Sequence, residues 1–170
     1  MTPCPECGAP AQPHSCEDLF GTVLALDHSR RAPWGPLHSV TVSCFLLQHP
    51  SRLPETARAR PWGVLQTYLD GGLPAVARLT ERARRANSHR GRDGRPPEAV
   101  PGFPPPPVTA PPTAFGVTID DVAHDGTFPA DGFPERVTAW AEAVVGAWEA
   151  PTTATRSRPT TVTPARSDAG

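Results

Sequence analysis

Val40-Thr41-Val42-Ser43-Cys44-Phe45-Leu46-Leu47-Gln48 is the stretch on which the fold turns. Its β-branched start suits a strand, whereas its length and its unbroken apolar end suit a buried helix. Length decides for the helix, and Pro50 stops it. On that reading the protein is mainly α.

Upstream, Ser15 is a preferred N-cap, and Asp18 three residues on can face the exposed amides, a capping box with Asp in place of Glu. Leu19, Phe20, Val23, Leu24 and Leu26 follow on one helical face, and the helix should end before Pro33. Downstream, a helix is expected over about 54–69, kinked or split by Pro61 and stopped at Gly71-Gly72. Another should run from Pro74 to Asn87, with proline in its first turn. Phe115-Gly116-Val117-Thr118-Ile119 reads as one short strand near 115–119. The last helix, Pro134 to Trp148, has the cleanest period: Val137, Trp140, Ala141, Val144 and Trp148 form a core-facing stripe.

Between these pieces, 88–112 reads as a flexible linker, rich first in Arg and Gly and then in Pro. After Pro151 a Thr/Pro/Ser tail has the composition of a disordered segment. The expected organisation is one helical domain over 1–150, interrupted by the linker, with a disordered tail at 151–170. Leu, Ile, Val and Phe make up only 31 of the 170 residues, so the core is small and a staple would help it.

The run Cys4-Pro5-Glu6-Cys7-Gly8 supplies a candidate staple. Two thiolates at this spacing can reach one zinc ion at about 2.3 Å, and glycine after the second cysteine permits the tight backbone. A redox pair would sit where a strand enters a helix, and no strand precedes Cys4. Cys16, opening the first helix, is the natural third ligand, because exposed amides and the helix dipole favour its thiolate. For the fourth, Cys44 lies among core residues, and His14 is only two residues from Cys16. His38 and His49 are eleven residues apart, roughly 16 Å along a helix, and cannot share an ion. His49 is preferred and His38 held in reserve, which makes the expected set Cys4, Cys7, Cys16 and His49 around Zn2+.

These residues resemble a family of uncharacterised bacterial proteins, catalogued as a domain of unknown function. The likeness rests on Cys4, Cys7, Gly8, Cys16, Phe20, His38, Val42, Gln48, His49 and Pro50, and less firmly on 113–149 with Trp140 and Trp148. Members often carry an Asp and a Tyr before Gln-His-Pro, where this chain has Ser43 and Phe45. The family carries no established activity, so the resemblance bears on the site and implies no reaction.

Three functional readings follow. The first is a non-catalytic interaction or regulatory module with a structural ion, whose partner the sequence does not identify, a protein being one candidate. The second is a zinc-dependent hydrolase, with His49 or His38 as acid or base at an open site. The third is a nucleic-acid adaptor using the arginines between residues 78 and 95, where no aromatic residue is interleaved to stack on bases. A net charge of −1 argues against nucleic acid as a partner. No apolar run is long enough for a membrane span, and no secretory signal is expected. A reducing, cytoplasmic setting is therefore expected, with the cysteines as thiols. The acidic run Asp120, Asp121, His124 and Asp125 reads as a polar loop.

Overall fold

The computed structural model describes residues 2–10, 13–86 and 102–150. The Arg- and Gly-rich part of the expected linker and the expected tail at 151–170 lie outside them. Five helices follow in order: α1 (Cys16–His28), α2 (Trp34–Gln48), α3 (Ala59–Ala86), the single turn α4 (Ile119–Val122) and α5 (Phe133–Glu149). The protein is mainly helical, and no strand occurs among the described residues.

Helix α2 is the centre. It packs against α1, α3 and α5, and buries Leu37, Val40, Thr41, Ser43, Cys44, Phe45, Leu47 and Gln48. Neighbours on several sides leave only Pro36 and His38 exposed, too little to demand a polar stripe, which is why the sequence there shows no amphipathic period. Helix α1 begins as its sequence requires. The Ser15 hydroxyl accepts from the Asp18 amide at 3.1 Å, and the Asp18 carboxylate accepts in return from the Ser15 amide at 3.1 Å. Helix α5 presents Val137, Trp140, Ala141, Val144 and Trp148 to the core, all fully buried. Its two indoles are fastened to the end of α2. Trp140 Nε1 donates to Gln48 Oε1 at 2.9 Å, and Trp148 Nε1 donates to the Leu47 carbonyl at 3.2 Å.

Two expectations require correction. The strand over 115–119 is absent: Thr118 and Asp121 close a capping box that starts α4, and the Val117 carbonyl accepts from Gln48 Nε2 at 2.7 Å. The backbone polar groups of that stretch are satisfied by a cap and a side chain, so no partner strand is called for. Pro61 does not kink or split α3 either. The helix starts at Ala59, after a 3-10 turn at Glu55–Ala57, so Pro61 falls in the first turn, where an amide has no helical acceptor to lose. The expected break at Gly71-Gly72 is present as a kink: Gly72 has φ 62 and ψ −165, and α3 resumes through Pro74.

The described part of the proline-rich segment lies against the helices. Pro106 is buried, Val108 packs on the core, and the Phe103 ring covers α3 at Gly63. A Cβ at Gly63 would fall 2.0 Å from that ring, so the contact needs glycine.

Candidate metal centre

The N-terminal loop reaches the junction of α1 and α2 through a tight knuckle. The Gly8 amide donates to the Cys4 carbonyl at 2.9 Å, and the Cys4 amide donates to the Ala9 carbonyl at 2.8 Å. Gly8 takes φ +76, a conformation that a side chain would strain. The loop is also tied down laterally. The Glu6 carboxylate accepts from the amide and hydroxyl of Ser51, at 2.9 and 3.0 Å, just past the end of α2. Glu17 in the first turn of α1 pairs with Arg52, whose guanidinium lies 5.6 Å from the centroid of the Phe45 ring.

These ties bring four side chains together. One ligand-type atom from each of Cys4, Cys7, Cys16 and His49 lies within 4.8 Å of every other, an arrangement that could hold a metal ion. Cys7 Sγ is 3.7 Å from Cys16 Sγ, and Cys4 Sγ is 3.7 Å from His49 Nε2. Bonds of about 2.3 Å at tetrahedral angles separate neighbouring ligands by roughly 3.7 Å, so both spacings fit the edge of such a site. His49 is aimed by its other nitrogen. Nδ1 lies 2.9 Å from the Phe45 carbonyl, which can only accept, so Nδ1 carries the proton and Nε2 faces the thiols. The imidazole is further clamped by stacking on Phe45, at 4.2 Å between centroids, and Phe45 in turn stacks on Phe20 at 3.8 Å.

The charges within the cluster favour a cation. The hydrogen bond from Cys16 pulls the Cys7 thiol well below its usual range against the effect of burial, with His49 and the Ala9 amide helping. Cys16 is driven the other way by its hydrogen bond to Cys7, by burial and by repulsion from the neighbouring sulfurs. Burial pulls His49 down, but its hydrogen bonds to Cys7, the Phe45 carbonyl and Cys4 outweigh it and raise the imidazole to about 9. Without a cation the shifts favour a thiolate at Cys7 beside a protonated imidazole. A divalent ion would remove the repulsion that keeps Cys16 protonated.

The other residues singled out in the sequence stand elsewhere. His38 pairs through Nδ1 with Asp27 Oδ2 at 3.2 Å and does not join the cluster. Cys44 is fully buried in the core, and burial pushes its thiol up. Asp121 is spent on the α4 cap. Asp120, with His14, lines a cleft of about 500 Å3 beside Cys4 and Cys16. In the basic segment Arg84 and Arg85 both pair with Glu81 at 2.9 Å, which removes part of the positive patch, while Arg90, Arg92 and Arg95 lie outside the described residues. Asp27 escaped sequence reasoning. The available signal was its place on the apolar stripe Leu19, Val23, Asp27, where a carboxylate needs a reason to be.

The family model for the family of unknown function DUF5946 matches residues 2–149. The chain belongs to that family. No curated protein shows significant similarity to this DUF5946 chain, and no solved structure does. Among its described residues no helix is long and apolar enough to cross a membrane.

Proposed function

We propose that Cys4, Cys7, Cys16 and His49 bind one structural Zn2+, and that this DUF5946 protein is a non-catalytic module that presents its metal-pinned surface to a protein partner. The observation that carries the reading is the pair of 3.7 Å spacings, with His49 Nε2 aimed at the sulfurs by the Phe45 carbonyl. Three thiolates and an imidazole suit zinc more than calcium or magnesium, which prefer oxygen. Four protein ligands complete a tetrahedron and leave no position for an ionisable water, which argues against the hydrolase. The ion would join the N-terminal loop, of whose described residues only Cys7 and Ala9 are buried, to the start of α1 and the end of α2. Binding energy in such sites, about 10–16 kcal/mol in zinc-finger peptides, is folding energy.

The test is metal analysis and thermal melting of the purified protein beside Cys7→Ser, Cys16→Ser, His49→Ala and His38→Ala. One equivalent of zinc is expected in the wild type and in His38→Ala, with loss in the other three. A strong chelator should lower the melting temperature by ten degrees or more, on the order of several kcal/mol. Metal-free protein whose Cys4, Cys7 and Cys16 thiols react freely in the native state would overturn the proposal, as would a melt indifferent to the chelator.

A further inference from the structure

Away from the thiol cluster, a groove of about 880 Å3 runs between α2 and α3 and is bordered by Phe103. That is within the roughly 300–1,000 Å3 of small-molecule sites. Its walls are largely apolar, with Val42 and Leu46 on α2 and Leu79 on α3. Two side chains capable of carrying charge line it, His38 and Arg60, and both are of the basic kind. Arg60 is exposed and has no hydrogen-bond or ion-pair partner among the described residues.

His38 is held in an unusual way for a surface histidine. Its partner Asp27 has a side chain with no exposed surface, whereas the His38 side chain is 55% exposed. Asp27 Oδ2 also accepts from the buried Thr41 hydroxyl at 3.0 Å, and Asp27 Oδ1 is sealed without any partner. A carboxylate is costly to hide, and a pair formed only to join α1 to α2 gains little from hiding one member while the other stays in water. What the arrangement does achieve is orientation. Nδ1 is committed to Asp27, the tautomer is set, and Nε2 is left for a ligand.

We propose that this groove binds a small carboxylic acid with an apolar chain. The chain lies along Val42, Leu46, Leu79 and Phe103. The carboxyl group meets Arg60 through one oxygen and shares a proton with His38 Nε2 through the other. Asp27 is a positioning residue behind His38. Asp27, His38, Arg60 and the ligand then contribute two negative and two positive groups, so the head is neutralised in place, whereas both chargeable side chains that an amine head would meet are basic. This inference is independent of the metal reading, since none of the four clustered residues lines the groove.

The experiment is titration of the full-length protein with decanoate, followed by 15N NMR of the histidine rings and backbone amides, with decanol and decylamine as controls. Saturable shifts are expected at His38 Nε2 and at the Leu79 and Phe103 amides, with decanol and decylamine at least tenfold weaker. His38→Gln and Arg60→Ala, both at exposed positions, should each weaken decanoate at least tenfold while leaving metal content unchanged; Arg60→Ala should also leave the melting temperature unchanged, whereas His38→Gln takes the cationic partner from buried Asp27 and should lower it. Asp27→Asn should lose the Nδ1–H signature of the His38 ring. No saturation up to about 1 mM, equal binding of decanol, or equal binding by both variants would overturn the proposal.

Discussion

Two neighbouring residues at the end of α2 serve two different parts of the molecule, and they are held by different physics. Gln48 faces α5: its amide is fully buried, takes the Trp140 indole N–H at 2.9 Å and gives to the Val117 carbonyl at 2.7 Å, within a wall of buried Trp, Phe and Val side chains. His49 faces the N-terminal loop, where its neighbours are sulfur atoms and the Phe45 ring on which it stacks, and of the described loop residues only Cys7 and Ala9 are buried. The first end is stable because surface has left water, and a few hydrogen bonds keep its register. At the second the loop buries little such area, and on our proposal an ion supplies what burial does not. A small core can therefore serve a chain of this length if the part that it cannot reach is closed by coordination.

The largest effect should come from breaking the apolar end alone. Trp140→Ala removes a fully buried indole and leaves Gln48 Oε1 without its donor. The expected cost is about 3–5 kcal/mol, read as a lower urea midpoint. Zinc content should stay at one equivalent in the fraction that folds. Parallel loss of zinc and core stability would show that the two ends are not separable.

The next effect belongs to the other end and is driven by protons. In the metal-free protein His49 is raised from 6.5 to about 9, and Cys16 lies above the ordinary thiol range, so both hold protons near neutrality. A metal must displace at least these two protons, which makes its affinity rise at least about 100-fold per pH unit around pH 7 and fall as steeply on acidification. The fold itself leans the other way. A raised histidine stabilises the metal-free protein fully below its unfolded value of 6.5, and that contribution is lost as pH climbs through about 9. Metal stabilisation should thus grow over the range in which the imidazolium contribution fades. Competition against a chromophoric chelator between pH 6.5 and 7.5 checks the slope, and an affinity independent of pH would count against this donor set.

The same contrast explains what could be read in advance. Local signals survived. The Ser15 and Asp18 cap, the stripe on α5 and the break at Gly72 each depend on residues within a turn or two of one another. Spacing showed only that His38 and His49 cannot share an ion, with His49 preferred and His38 in reserve, and the structure brings His49 and not His38 to the three cysteines. Tertiary effects were harder to see. Burial on several sides erased the period of α2, so only length separated helix from strand. The strand expected at 115–119 failed because a glutamine almost seventy residues earlier takes the Val117 carbonyl. Pro61 was misjudged by the start of α3, which begins several residues later than the apolar pattern suggested. The pairing of Asp27 with His38 joins two helices, and nothing in the spacing of the two residues announces it.

The smallest effect probes where the two kinds of stabilisation meet. Ser15 is exposed and packs against little, yet its hydroxyl caps α1 one residue before Cys16. Ser15→Ala leaves the Asp18 amide without its acceptor and should cost about 1 kcal/mol of global stability. The cap also fixes the first turn from which the Cys16 thiol projects, so some of that cost should appear in metal affinity, at most about fivefold. Ser15→Asp restores the acceptor and should recover both. Its added negative charge suits the start of a helix but sits beside Asp18, so recovery in stability should be partial at low salt and more complete at high salt. If Ser15→Ala moved stability by the expected amount and left affinity untouched, the thiol of Cys16 would be held by the knuckle and the core rather than by the turn of helix that carries it.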